Sequence, residues 1–154
     1  MQDSNNRRPR VWENRPNTQN NFNTNNNQNT IDVKNVFNKE WITIGADKEM
    51  VTFVENAGKY MAKNGLTNSK IRSIYGEIKR IQMSEFEKEK TSFYLLKPKV
   101  AYALGRDEKN QGLRSFKEIF DTCFPYVTDT KSYKNFCNLI EAVLAYHKAY
   151  GGKD

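Results

Sequence analysis

From Asp47 onward, apolar residues recur at the three- and four-residue spacing of amphipathic helices, in five successive blocks. Met50, Phe53, Val54, Ala57 and Met61 form the first stripe and predict a helix over 47–64. Asp47 is its expected N-cap, and Gly65 supplies the left-handed stop. Ile71, Ile74, Tyr75, Ile78 and Ile81 predict a second helix from 68 to about 83, capped by Thr67, with a possible continuation through EFEKEK to 90. Leu66 and Ile71 have the spacing of a hydrophobic staple. Phe93, Leu96, Val100, Ala103 and Leu104 predict a third helix over about 91–105. Leu113, Phe116, Ile119, Phe120, Cys123 and Val127 predict a fourth reaching about 127, weakened at its end by Pro125. Tyr133, Phe136, Cys137, Ile140, Val143, Leu144 and His147 predict a fifth, capped by Asp129 and stopped near 150 by Gly151 and Gly152. Helices of this length with short connections make an all-α compact bundle of about five helices.

Two stretches interrupt this pattern. Pro98 removes a helical hydrogen bond and disfavours the helical region for Lys97, so the third helix is expected to kink or split near 96–98 and splay Lys97 and Lys99 outward. Residues 31–46 carry IDVKNVF and EWITIG, too short for a convincing sheet; Trp41, Ile42 and Ile44 are expected to lay this segment on the core. Residues 1–30 are different again. Eleven of them are asparagine, and the scarcity of apolar side chains predicts a disordered low-complexity tail. Arg7, Arg8, Arg10 and Arg15 around Trp12 read either as a solvated tail or as a loose arm that orders on nucleic acid. The expected organisation is thus a tail over 1–30 and a single helical domain over 31–154.

Charge adds a candidate partner. Lysine and arginine total 25 against 18 acidic residues, a net charge of +7 and a pI near 9.4. Such a balance suits an anionic partner, most simply nucleic acid. The cations concentrate on the second and third helices: Lys70, Arg72, Lys79 and Arg80, then Lys97, Lys99 and Arg106. Arg72 and Lys79 share a helical face about 10 Å apart, with Gly76 between them. A sugar-phosphate backbone fits closely over such a low face. Equally, the two cations are ordinary solvated residues and Gly76 admits another helix. Tyr75, Tyr94, Tyr102 and Tyr146 fall at helical spacing and read as core rather than as stacking platforms.

Catalytic chemistry has little to stand on. The glycines lack the spacing of a phosphate-binding loop, and His147 lies on an apolar stripe, where a packed histidine with one hydrogen bond is expected. Glu85, Glu87 and Glu89 alternate with lysines as a solvated face does. Cys123 and Cys137 are expected as buried free thiols; their spacing matches no zinc site. No cofactor, metal or catalytic residue is therefore expected. Neither a stretch of some 18 apolar residues nor an apolar N-terminal run is present, so no membrane partner and a cytoplasmic location are expected.

The strings GLTNSKIRSIYGEIKRIQ, FYLLKPKVAYALGR, SFKEIFD and FCNLIEAVLAYHKAYGG, taken in order, resemble the small helical subunit of the type III-A CRISPR effector, the Csm complex. The resemblance covers about 47–152 and leaves the asparagine-rich tail outside. It implies an all-α subunit without activity of its own. It also implies several copies stacked head to tail along the inner filament, beside the backbone subunits and the large polymerase-like subunit, flanking the paired guide (CRISPR) RNA and target RNA.

The reading that joins residues and resemblance is antiviral RNA binding by backbone contact. Lys70, Arg72, Lys79, Arg80, Lys97, Lys99 and Arg106 would supply charge to the guide–target duplex, while base pairing supplies sequence specificity. The alternative is a helical protein–protein scaffold, whose basic face docks neighbouring subunits and meets RNA incidentally. A nuclease using His147 is the third class.

Overall fold

The computed structural model describes residues 31–154; the expectations for residues 1–30, the tail and its basic arm, lie outside them. Seven α-helices and two 3-10 turns make up the described residues, without a strand. Two are single turns, α1 (Val33–Val36) and α2 (Glu40–Thr43). The other five are α3 (Lys48–Lys63), α4 (Asn68–Gln82), α5 (Lys90–Gly105), α6 (Gln111–Cys123) and α7 (Thr130–Ala149). These five are the blocks that hydrophobic periodicity predicts.

Local chemistry places their ends. The Asp47 carboxylate accepts the Met50 amide at 2.8 Å, and Gly65 sits at φ 91° after α3. Asp129 and Ser132 form a reciprocal capping box at the start of α7. At α4 the cap differs from expectation. Thr67 occupies the N-cap, but its hydroxyl pairs with Ser69 at 3.0 Å rather than with an amide. The Asn68 amide donates instead to the Lys153 carbonyl at 2.9 Å, so the far end of the chain satisfies one of the orphan amides of α4.

α3 and α7 pack most closely. A methyl group on Gly58 would lie 2.6 Å from the His147 nitrogen and the Val143 oxygen, so hydrogen is the only side chain that fits. α2 lies on α7, where Asn135 donates to the Ile42 carbonyl at 2.9 Å. An aromatic cluster joins the other half of the bundle. Phe93 of α5 stacks on Phe124 at 4.9 Å and meets Tyr133 and Phe136 of α7 edge-on at 5.6 and 5.8 Å.

Four expectations need correction. α4 ends at Gln82 and does not run through EFEKEK. Continued at about 100° per residue, it would turn Phe86 about 100° away from the Ile74–Ile78–Ile81 stripe. A break lets Phe86 bury in a 3-10 turn, 4.8 Å from Tyr133. α5 is not split at Pro98, and Lys97 stays helical. The carbonyl that loses its donor is that of Tyr94, on the exposed side of the helix, where water can satisfy it. α6 stops at Cys123 and hands over to a 3-10 turn at Phe124–Tyr126 around Pro125. Ile44, unlike Trp41 and Ile42, is exposed, because it lies past the end of the α2 turn.

Cys123 and Cys137 are buried and free. His147 is fully enclosed, its Nε2–H donating to the Leu66 carbonyl at 2.7 Å. Burial pushes the Cys123 thiol far up and Cys137 up to about 11.

Candidate nucleic-acid interface

α4 and α5 run side by side at one edge of the bundle, and between them lies a groove of about 920 Å³. Its floor is apolar, made by Ile74 and Leu113. Its rim carries Ser69, Ser73, Lys70 and Glu77 from α4, and Lys99, Tyr102 and Arg106 from α5. Asn110, bonded to the lining residues Asp107 and Leu113, caps α6 by accepting the Leu113 amide at 2.8 Å. Its Nδ2 also donates to the Gly65 carbonyl at 2.8 Å and to Asp107 at 3.1 Å. One buried amide thereby ties the α3–α4 turn to the α5–α6 loop. Hydrophobic periodicity gives Asn110 no role, although an Asn three residues before an apolar stripe is an N-cap signal.

The seven candidate cations divide into two groups. Lys70 pairs with Asp107 at 2.6 Å, a contact that holds the Asp107 carboxyl below the usual carboxylate range. Lys79 turns to the other edge of α4, where it pairs with Glu141 of α7 and lies 5.7 Å from the Tyr75 ring. Arg80 is held by Glu77 at 2.7 Å and Glu89 at 3.0 Å; both carboxyls are lowered, chiefly by hydrogen bonds from Arg80. The other four have no carboxylate within ion-pairing distance among the described residues. Arg72 stands exposed on the outer ridge of α4. Lys97 lies 4.9 Å from the Phe124 ring, on the far side of α5 from the groove. Lys99 and Arg106 face the groove.

The structure therefore brings Lys70, Lys99 and Arg106 to one groove and leaves Lys79 and Lys97 on separate edges. Gly76 lies exposed on α4 next to the lining residues Ser73 and Glu77, whereas Arg72, seven residues before Lys79, lies on the Lys79 side of the helix and outside the groove. A Cβ on Gly76 would meet nothing within 4 Å, so no helix of the described chain uses the space. That removes one of the two readings of this glycine within the chain and leaves a low, open ridge next to the cationic rim.

Two tyrosines also depart from expectation. Tyr94 and Tyr102 are 56% and 67% exposed instead of lying in the core. α5 buries Phe93, Leu96 and Val100 on one side and presents Tyr94, Leu95 and Tyr102 on the other, so it is apolar on two faces and only one is covered. The signal is present in the sequence: two apolar stripes on one helix that carries lysines between them.

A second groove, about 820 Å³ between α1 and α3, has Asp32 and Glu49 as well as Lys59 and Lys63 on its walls and contains none of the candidate cations. Among the described residues no group of His, Cys, Asp and Glu is arranged to hold a metal, and no helix is long and apolar enough to cross a membrane.

Comparison with known proteins adds to this geometry. Residues 46–153 match the protein family described as Csm2 Type III-A. A relative from Streptococcus thermophilus, described as CRISPR system Cms protein Csm2, is 32% identical over 114 residues, covering 65% of this chain and 82% of its own length. No solved structure matches the chain.

Proposed function

The chain belongs to the Csm2 Type III-A family and is a non-catalytic small subunit of the type III-A CRISPR effector complex; from that premise we propose that its α4–α5 edge holds the sugar-phosphate backbone of the guide RNA–target RNA duplex. The observation that carries this reading is the pair Lys99 and Arg106. Both face one groove without a carboxylate partner among the described residues, beside the open ridge at Gly76. Seven residues apart, they are about 10 Å apart along α5. Cations already neutralised by carboxylates have less to gain from a phosphate. Lys99 and Arg106 therefore contribute most, with Lys70 released from Asp107 as RNA arrives, and Arg72, outside the groove, adds charge only at longer range. Lys79, Arg80 and Lys97 contribute less. Contacts of this kind position a duplex without reading it, which suits a complex whose specificity comes from base pairing with the guide. In the same reading the subunit stacks with other copies of itself, beside the backbone subunits and the large polymerase-like subunit.

The test is a double reversal, Lys99→Glu with Arg106→Glu, in the assembled complex. Target RNA binding weakens, and the slope of log affinity against log salt becomes shallower by about 0.7–0.9 for each phosphate no longer neutralised. Unchanged affinity and slope in a fully assembled complex would remove this edge from the RNA.

The exposed Tyr94 and Leu95 favour a second reading, in which the same edge docks a neighbouring subunit. In that case the reversals block incorporation into the complex before any RNA is added.

A further inference from the structure

We infer that Tyr102 is a stacking platform for an unpaired nucleobase, seated at the α4–α5 groove with Arg106 and Lys99 on the adjoining phosphates. This rests on the backbone reading above and adds to it a contact with a base. Tyr102 lies inside a 16-residue helix, yet it is 67% exposed, while α5 seats Phe93, Leu96 and Val100 in the core from its opposite side. Its ring lies at the rim of a groove of about 920 Å³, within the size range of small-molecule sites. The Arg106 guanidinium is centred 5.8 Å from the ring centroid, within cation–π range.

Three other tyrosines are used differently. The Tyr133 hydroxyl donates to the Ile78 carbonyl, and that of Tyr150 donates to Glu55. Tyr94 leans on Phe93 and Phe124 at 6.1 and 6.2 Å, away from the groove. Tyr102 has neither a stacking neighbour nor a hydrogen-bond partner among the described residues. An aromatic face flanked by cations recurs in single-stranded nucleic-acid sites, because every base has a π-face and every linkage a charge. The Ser69 and Ser73 hydroxyls on the opposite rim can hydrogen-bond the edge of a base lying on the ring. A base paired within a duplex is stacked on both faces, so the partner is a base that is unpaired or displaced from its stack.

The test uses the full chain and three labelled probes: a ten-nucleotide oligoadenosine, an abasic strand of equal length, and an RNA duplex of equal length. Binding is read by fluorescence anisotropy as a function of salt. Tyr102→Leu weakens oligoadenosine binding about tenfold, within the range of alanine-substitution losses at stacked bases. It leaves the abasic strand, the duplex and the salt slope within twofold of wild type, and Tyr102→Phe binds like wild type. Lys99→Glu with Arg106→Glu weakens all three probes and lowers the slope. Stacking is overturned if Tyr102→Leu has no effect on oligoadenosine, or weakens all probes alike. It is also overturned if Tyr102→Phe fails as Leu does, or if wild type does not bind oligoadenosine. Should only the charge variants lose binding, stacking is wrong and the backbone reading stands; should they too bind normally, both are wrong. Tyr102→Leu that binds oligoadenosine normally but no longer enters the complex would assign the ring to a protein neighbour instead.

Discussion

Replacing Gly76 with alanine separates the stability of α4 from its use. Gly76 is exposed in the interior of a 15-residue helix, and an added Cβ would meet nothing within 4 Å. No positive φ requires glycine there. Helix propensity alone favours alanine by about 0.8–1 kcal/mol, mostly through backbone freedom lost on folding. With a urea m-value of about 2 kcal/mol/M, the midpoint of unfolding rises by roughly 0.5 M at unchanged slope. Circular dichroism at 222 nm measures this directly. A midpoint that stays put or falls would refute the claim that the ridge is free of intrachain contacts. The same variant reports on function: where a phosphate backbone crosses the ridge closely, a methyl group holds it off. The account predicts a more stable chain and a weaker target RNA complex. Stabilisation with undiminished RNA binding would move the RNA path off the ridge.

Asn110→Ala removes the α6 cap and the tie to the Gly65 carbonyl, at a cost of about 2 kcal/mol in chemical denaturation. Asn110→Asp keeps the cap acceptor but loses both Nδ2 bonds and sets a second carboxylate beside Asp107, so it too is less stable than wild type. Stability declines from about pH 9 upward, because burial holds the Cys137 thiol up to about 11 and raises Cys123 and Tyr133 further. Between those values the unfolded chain has released protons that the native chain still holds, so rising pH favours unfolding. Denaturation midpoints at pH 8, 9 and 10 check this, and a flat profile would contradict it. At the acid end Glu77, Glu89, Asp107 and Asp129 are depressed by their hydrogen bonds, so their contribution is present above about pH 4 and lost as pH falls further.

The bundle is legible in the sequence wherever one residue decides the outcome locally. Asp47, Gly65 and Asp129 mark helix ends because capping chemistry needs only a few neighbours. The stripes of α3, α6 and α7 identify the core because each helix has one apolar face. The failures share a different cause. The end of α4 is decided by Phe86 finding Tyr133, 47 positions away in the chain. The Asn68 amide at the start of α4 is satisfied by the Lys153 carbonyl, 85 positions away in the chain. At the candidate interface, the cations can be read as a class but not sorted. The carboxylates of Asp107, Glu141 and Glu89 neutralise Lys70, Lys79 and Arg80 across helices, and no spacing rule announces such partners. Tyr102 reads as core from the sequence because periodicity gives the faces of α5 without saying which one is covered.

Ultraviolet cross-linking of target RNA to the assembled complex, followed by peptide mapping, addresses the RNA path most directly. The account predicts adducts in the α4 segment 69–76 and the α5 segment 99–106, with Tyr102 among the modified residues. Adducts confined to α1, α3 or α7, with none on α4 or α5, would contradict it.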